Sequence, residues 1–161
     1  MIEIKIEKDT ITAALQAIQS KLSDMTPLMR KIAGDMLDAV EENFVQEGRP
    51  KWKPSRRATS QKGKTLQNHG RLAESIVSKS TSNQAIVGTD VIYAAILQFG
   101  GKTSPHIIKP KNKKALFWPG AKHPVKSVKH PGSDIPARPF LSLTDSDLED
   151  IKQRISEYLI P

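Results

Sequence analysis

The chain contains no cysteine, only 5% aromatic residues, and no apolar run near the roughly 20 residues that a membrane span requires. The first absence rules out a disulfide framework, a thiolate metal site and a cysteine nucleophile. The start, Met1-Ile2-Glu3-Ile4-Lys5, has neither the basic nor the apolar region of a signal peptide, so the expectation is a protein made and folded in the cytosol. Across 161 residues, 37% are apolar and 26% charged. That is polar for a globular chain but too apolar for a disordered one, and the length fits one domain over 1–161 with a modest core and long polar loops.

Acids are also missing from two internal stretches. Residues 49–71 hold eight Lys/Arg and no Asp/Glu, and residues 102–129 hold eight more, again with no acid. Residues 1–48, by contrast, carry nine acids against five bases, and 144–161 carry five against two. The net charge of +8 is therefore concentrated in two segments that read as loops. Two readings stay open at this point: a phosphate footprint, or a basic contact surface for an acidic protein partner.

Periodicity supplies the elements. Ile2, Ile4 and Ile6 alternate with charged residues as in a half-buried strand. Asp9-Thr10 offers an N-cap ahead of Ile11, Leu15, Ile18 and Leu22 at helical spacing. Thr26-Pro27 opens a longer helix over 27–47, with Leu28, Ile32, Met36, Val40 and Phe44 down one face and Gly48 as the C′ residue. Trp52 is the large apolar group in the basic loop that follows, placed to pin that loop to the core or to stack on a partner. A short helix near Gly70 carries Leu72 and Ile76, and strand-like runs at 75–80 and 84–88 flank Ser82-Asn83. Residues 91–99 fit either a helix or a strand, ended by Gly100-Gly101. The Pro-rich segment 102–134 reads as a long projecting basic loop or hairpin with a strand at either end. Thr144 and Asp147 form a capping-box pattern for a last helix whose expected buried face is Leu148, Ile151, Ile155 and Leu159. The fold class predicted is α+β: N-terminal helices and a C-terminal helix packed on a small, mainly antiparallel sheet.

Chemistry-bearing patterns are scarce. His69, His106, His123 and His130 all fall in polar segments, without the i, i+4 helical spacing of zinc peptidases. Asp35, Asp38, Glu41 and Glu42 lie opposite the apolar stripe of their helix, where solvated charge is the default. No Gly-rich loop opens a helix after a strand, and the serines lack a nucleophile-elbow context. The reading is of a protein with no catalytic site, no metal and no cofactor. Lysine predominates over arginine in the second basic segment, which favours diffuse phosphate attraction over base reading, and no recognition helix or finger is present.

Two stretches go beyond composition: Val87-Gly88-Thr89-Asp90-Val91-Ile92-Tyr93-Ala94-Ala95-Ile96-Leu97-Gln98-Phe99-Gly100-Gly101 and Ile135-Pro136-Ala137-Arg138-Pro139-Phe140-Leu141. With Trp52 and with Leu66, Gly70-Arg71-Leu72 and Ser75-Ile76, in that order over about 27–159, they resemble the phage virion morphogenesis family. The chain departs from the family's usual pattern at Leu97, where His is frequent, and at His69, where Thr or Ser is.

The resemblance implies a non-enzymatic structural protein of phage or prophage assembly, acting in tail completion or the head–tail neck. The implied partners are other neck or tail proteins, copies of itself in a ring, and channel DNA touched without sequence preference; no membrane is involved. The implied location is the bacterial cytoplasm during assembly and the virion neck or tail afterwards. A basic non-specific nucleic-acid-binding protein is the alternative. Trp52, Gly70, Leu72, Tyr93, Gln98, Phe99, Gly100, Gly101, Arg138, Pro139 and Phe140 are candidates either for holding the fold together or for an interface. Phe99 and Phe140 are expected as apolar anchors, and Arg138 as a stiffly held cation seeking a carboxylate within the fold or across an interface. Lys51, Lys53, Arg56, Arg57, Lys109, Lys111, Lys113 and Lys114 are the candidate contacts to DNA or to a partner.

Overall fold

The computed structural model describes residues 8–160. Two helices lead, α1 over Lys8–Ser23 and α2 over Thr26–Val45, followed by the short helices α3 (Arg56–Gln61) and α4 (Arg71–Glu74). Strands β1 (Val77–Ser80) and β2 (Ala85–Gly88) precede helix α5 (Ala94–Phe99). Then come β3 (Gly101–Lys102), β4 (His106–Ile108), β5 (Val128–His130), β6 (Asp134–Ile135) and the last helix, α6 (Asp145–Leu159). The architecture is α+β with antiparallel pairing, as predicted, and among the described residues the strands form three separate two-stranded ladders. The strand expected at 2–6 lies outside the described residues.

Helix α2 organises the rest. Its four-residue spacing buries Leu28, Ile32, Val40 and Phe44, leaves Met36 half-buried, and adds Ala33 and Ala39 to the stripe. One side lies against the β1–β2 hairpin and another against α6. Val40 and Phe44 join Trp52, Leu72, Ile76, Val91, Ala94 and Phe140 in a single apolar cluster. Residues 91–99 prove helical from Ala94 onward.

The end of α2 differs from expectation by one residue. The left-handed turn begins at Glu47, at φ 57°, and Gly48 follows with φ 100°. The Gly48 N–H reaches Asn43 O at 2.7 Å and the Glu47 N–H reaches Phe44 O at 3.3 Å, which is the bond pair of a Schellman motif. Glu47 tolerates the position because its carboxylate accepts the N–H of buried Thr65 at 2.6 Å. Glycine is required next for space, since a Cβ on Gly48 would collide with the Trp52 ring and the Pro50 carbonyl.

Two other expectations are corrected. Asp9 and Thr10 lie within α1 and not ahead of it, and α1 leaves Ile11, Leu15 and Leu22 exposed. That helix meets the fold at its end, where the Lys21 ammonium donates to Tyr158 O at 2.7 Å and sits 5.7 Å from the Tyr158 ring centre. On α6, Leu148 is exposed and Ile151, Ile155 and Leu159 are only half-buried, because the helix lies on α2 rather than over a sheet. The segment 102–134 takes the hairpin form of the expected loop or hairpin, with a strand at either end. Gly101↔Ile135 and Lys102↔Asp134 pair first, then His106↔His130 through Ile108↔Val128, with a further bridge at Leu116↔Val125. The result is a hairpin arm in which no residue from 101 to 137 is buried.

A polar network ties the remote parts to α2. Asn43, wholly buried, donates through Nδ2 to Phe140 O (3.0 Å) and Ser142 O (2.8 Å), and its Oδ1 accepts from Arg49 Nε at 2.9 Å. Arg49 also donates to Ala39 O at 2.8 Å and clamps the Asp147 carboxylate with both Nη atoms, at 3.0 and 2.9 Å. Asp147 in turn completes the α6 capping box with Thr144, which the sequence pattern predicts. Asn43→Ala strands two carbonyls and the Arg49 Nε–H at once. It should lower the unfolding free energy by between about 1 and 3 kcal/mol in a urea titration.

Acid should act on the same network. Burial opposes ionisation of Asp147, but the Thr144 N–H and Arg49 outweigh it and hold its pKa below the ordinary carboxylate value. A carboxylate depressed in the folded state contributes stability above its unfolded pKa of roughly 3.9, and that contribution is lost as pH falls through the folded value. Asp147→Asn should therefore be less stable than the native chain at neutral pH and lose less stability on acidification, measured by urea midpoints across the acid range.

Candidate functional site

The two quoted motif segments meet in space. Gln98, near the end of α5, uses its side-chain amide as an adapter: Oε1 accepts the N–H groups of Phe140 (2.9 Å) and Leu141 (3.0 Å), and Nε2 donates to Leu141 O (3.1 Å). One step away, the Arg138 N–H donates to Leu97 O at 2.8 Å. Gly100 turns the chain at φ 73°, and a Cβ there would stand 2.8 Å from Ala137 N and 2.9 Å from Ile135 O. Gly101 then begins the ladder with Ile135. From the other direction, Trp52 Nε1 donates to Pro139 O at 3.1 Å, and its ring packs edge-on against Phe44 at 5.7 Å. Phe44 lies 5.6 Å from Phe140, which is fully buried. Leu72 is buried in the same cluster, and Gly70, at φ 76°, caps α4.

Phe99 and Tyr93 do not join this assembly. Phe99, expected as an anchor, is 79% exposed, because the register of α5 turns Ala94, Leu97 and Gln98 inward at i, i+3 and i+4 and leaves Phe99 outside. Tyr93 and its neighbour Ile92 are exposed beside it.

The basic candidates divide in two groups. Lys109, Lys111, Lys113 and Lys114 are exposed on the arm beyond β4, and Lys51, Lys53 and Arg56 are exposed around the start of α3. Residues 53–56 and 130–136 line a common cleft, so the first basic stretch meets the base of the arm there. Arg49, which composition assigns to the first stretch, is instead absorbed into the Asn43 network.

Arg138 lies between two clefts. At 6% exposure it donates from Nε to Lys53 O at 2.8 Å, and burial pulls its pKa down. It lines the cleft at the arm base and, on another side, a cleft with Arg57, His69, Arg71, Leu97 and Tyr93. Sequence reasoning did not place Arg71 and His69 in this group, although Arg71 lies in the Gly70-Arg71-Leu72 motif segment and both lie in an acid-free stretch. The carboxylates gather elsewhere. Asp35 pairs with Arg154 and is not simply solvated, while Asp38, Glu42, Asp150 and Glu157 line a groove between α2 and α6. His106 and His130 stack across the β4–β5 ladder with ring centres 5.0 Å apart. Among the described residues no group of three His, Asp or Glu is placed to hold a metal ion, and no helix is long and apolar enough to cross a membrane.

The close approach at Gly100 can be separated from a general glycine effect. Gly100→Ala should lower the melting temperature by several degrees, since main-chain atoms occupy the Cβ position. Gly34→Ala, within α2 and with nothing inside 4 Å of its Cβ, should raise it, consistent with the roughly 0.5–1 kcal/mol that alanine gains in a helix interior. Calorimetry of the two variants checks both.

The phage virion morphogenesis family matches this chain over residues 6–160. The Mu-like prophage FluMu G protein 2 of Haemophilus influenzae is 39% identical over 159 residues, covering 98% of this chain and 96% of that protein. No solved structure matches. The length and continuity of these matches establish that the chain belongs to the phage virion morphogenesis family, with a part in phage particle assembly.

Proposed function

We propose that the chain is a non-enzymatic structural protein that acts in tail completion or at the head–tail neck. One observation carries this reading: the polar motif residues engage main-chain groups and fix a scaffold. Gln98, Trp52 and Arg138 each donate to a backbone carbonyl, of Leu141, Pro139 and Lys53 respectively. What they hold in place is an exposed, lysine-rich arm beside an apolar rim at Tyr93 and Phe99. Rigid support for an exposed, mixed basic and aromatic surface suits protein contact better than turnover. The partners on this reading are other neck or tail proteins and further copies of the chain in a ring. The arm lysines Lys109, Lys111, Lys113 and Lys114 face either DNA in the channel or a neighbouring subunit. Those lysines also favour the second reading, a non-specific nucleic-acid binder.

Deletion of the gene from an inducible prophage separates the two. The expected outcome by electron microscopy is filled heads and unattached tails, with the protein found by mass spectrometry in complete wild-type particles. Normal, infectious, tailed particles from the deletion strain would sink the assembly role at the neck or tail.

A further inference from the structure

Arg138 has an unanswered end. Its Nε–H is satisfied by Lys53, yet no protein group among the described residues accepts from either Nη. Among the described residues the ion pairs belong to Arg49, Lys152 and Arg154. No buried side-chain nitrogen of the described residues is left wholly enclosed without a partner, so the Nη groups of this buried residue reach solvent through the clefts it lines. A buried guanidinium without a counter-charge is costly, and the deficit is relieved most fully by a carboxylate that matches its two-pronged fork.

The two clefts are not equivalent. The one at the arm base already contains the carboxylate of Asp134. The other contains no acid among its lining residues and adds Arg57, His69 and Arg71 around Arg138. Its wall is apolar, formed by Leu66, Leu97 and the Tyr93 ring. One buried cation, Arg138, beside an apolar wall and with exposed Arg71 near the mouth, is complementary to an acidic side chain with an apolar neighbour. It is poorly matched to a phosphodiester, which a broad duplex presents on its outside and which the exposed arm lysines suit better.

We propose that this cleft receives an Asp or Glu side chain from a partner protein, its carboxylate on the Arg138 fork and an adjacent apolar residue against Leu66, Leu97 and Tyr93. The inference deepens the assembly reading by giving the partner's chemistry, and it does not depend on whether the site works at the tail or the neck.

The probe is the tripeptide N-acetyl-Leu-Asp-Leu-amide, titrated into the isotope-labelled full chain and followed by NMR, with the Leu-Asn-Leu peptide as control. The Asp peptide should shift the Arg138 Nε–H and Leu97 methyl resonances saturably, and bind at least about tenfold more tightly than the Asn peptide, as charge-assisted pairing requires. Arg138→Gln should abolish this. Because that change also removes the bond to Lys53, exposed Arg71→Gln carries the test: several-fold weaker binding at an unchanged melting temperature. Equal affinity for the two peptides, or no saturable shift, overturns the proposal. So does displacement of the peptide by a short DNA duplex shifting the same resonances, which would make this a phosphate site. Shifts of those resonances with protein concentration alone, unaffected by peptide, would assign the cleft to a second copy and overturn it too. A deletion strain with normal particles would refute the assembly reading while leaving the titration untouched.

Discussion

One buried amide decides where the last third of the chain goes. The apolar stripe of α2 attracts any apolar surface without choosing a register, because hydrophobic contact has little direction. Asn43 supplies the direction. Sitting one residue before Phe44 in the stripe, it is satisfied only when the carbonyls of Phe140 and Ser142 and the Arg49 Nε–H all arrive together. A shift in any of them would leave buried polar groups open, at a cost comparable to a large share of a domain's net stability. Arg49 extends the same constraint to α6 through Asp147, so a helix with no buried residue of its own is still placed with precision.

Segment 135–141 depends on a comparable device. Beyond Ile135 it has no ladder partner among the described residues, so its backbone groups need other acceptors and donors. Gln98 acts as a surrogate strand, with one side chain serving three backbone groups, and Leu97 O and the Trp52 indole serve two more. The motif residues therefore share one mechanical task, holding an irregular segment against α5 and the core. That task also explains why Arg138, fixed at its backbone by Leu97 and at Nε by Lys53, presents its remaining nitrogens from a rigid seat.

Much of the fold was legible because local chemistry specifies it. The spacing of Leu28, Ile32, Val40 and Phe44 marked α2, Thr144 with Asp147 marked the start of α6, and Ser82-Asn83 marked the hairpin. What was not legible depends on partners that spacing cannot name. The stripe of α1 has helical period, yet Ile11 and Leu15 meet no core. Phe99 is apolar beside a glycine turn, but its direction follows from the register of α5, which periodicity over so short an element leaves undetermined. Arg49 looked like one more charge in a basic run; only the fold shows that it belongs inside. The cleft at Arg138 is assembled from α3, α4, α5 and the 135–141 segment, so its composition exists only in three dimensions.

The charge asymmetry of the sequence becomes a polarity of the molecule. Acids collect in the groove between α2 and α6, while bases collect on the arm, around the start of α3 and in the cleft at Arg138. The arm adds exposed Ile107, Phe117 and Trp118 to its lysines, on a two-stranded ladder with no buried residue. Such a ladder is marginal alone in water, since it has no second layer to exclude solvent from its hydrogen bonds. A partner surface laid over the arm would supply that second layer. On the assembly reading that is a useful property: lysines raise the encounter rate with an acidic surface, and the aromatic groups contribute only once water is expelled at the contact. On that reading the arm contributes more to the assembled particle than to the free monomer, because binding to the folded chain alone draws the equilibrium toward it.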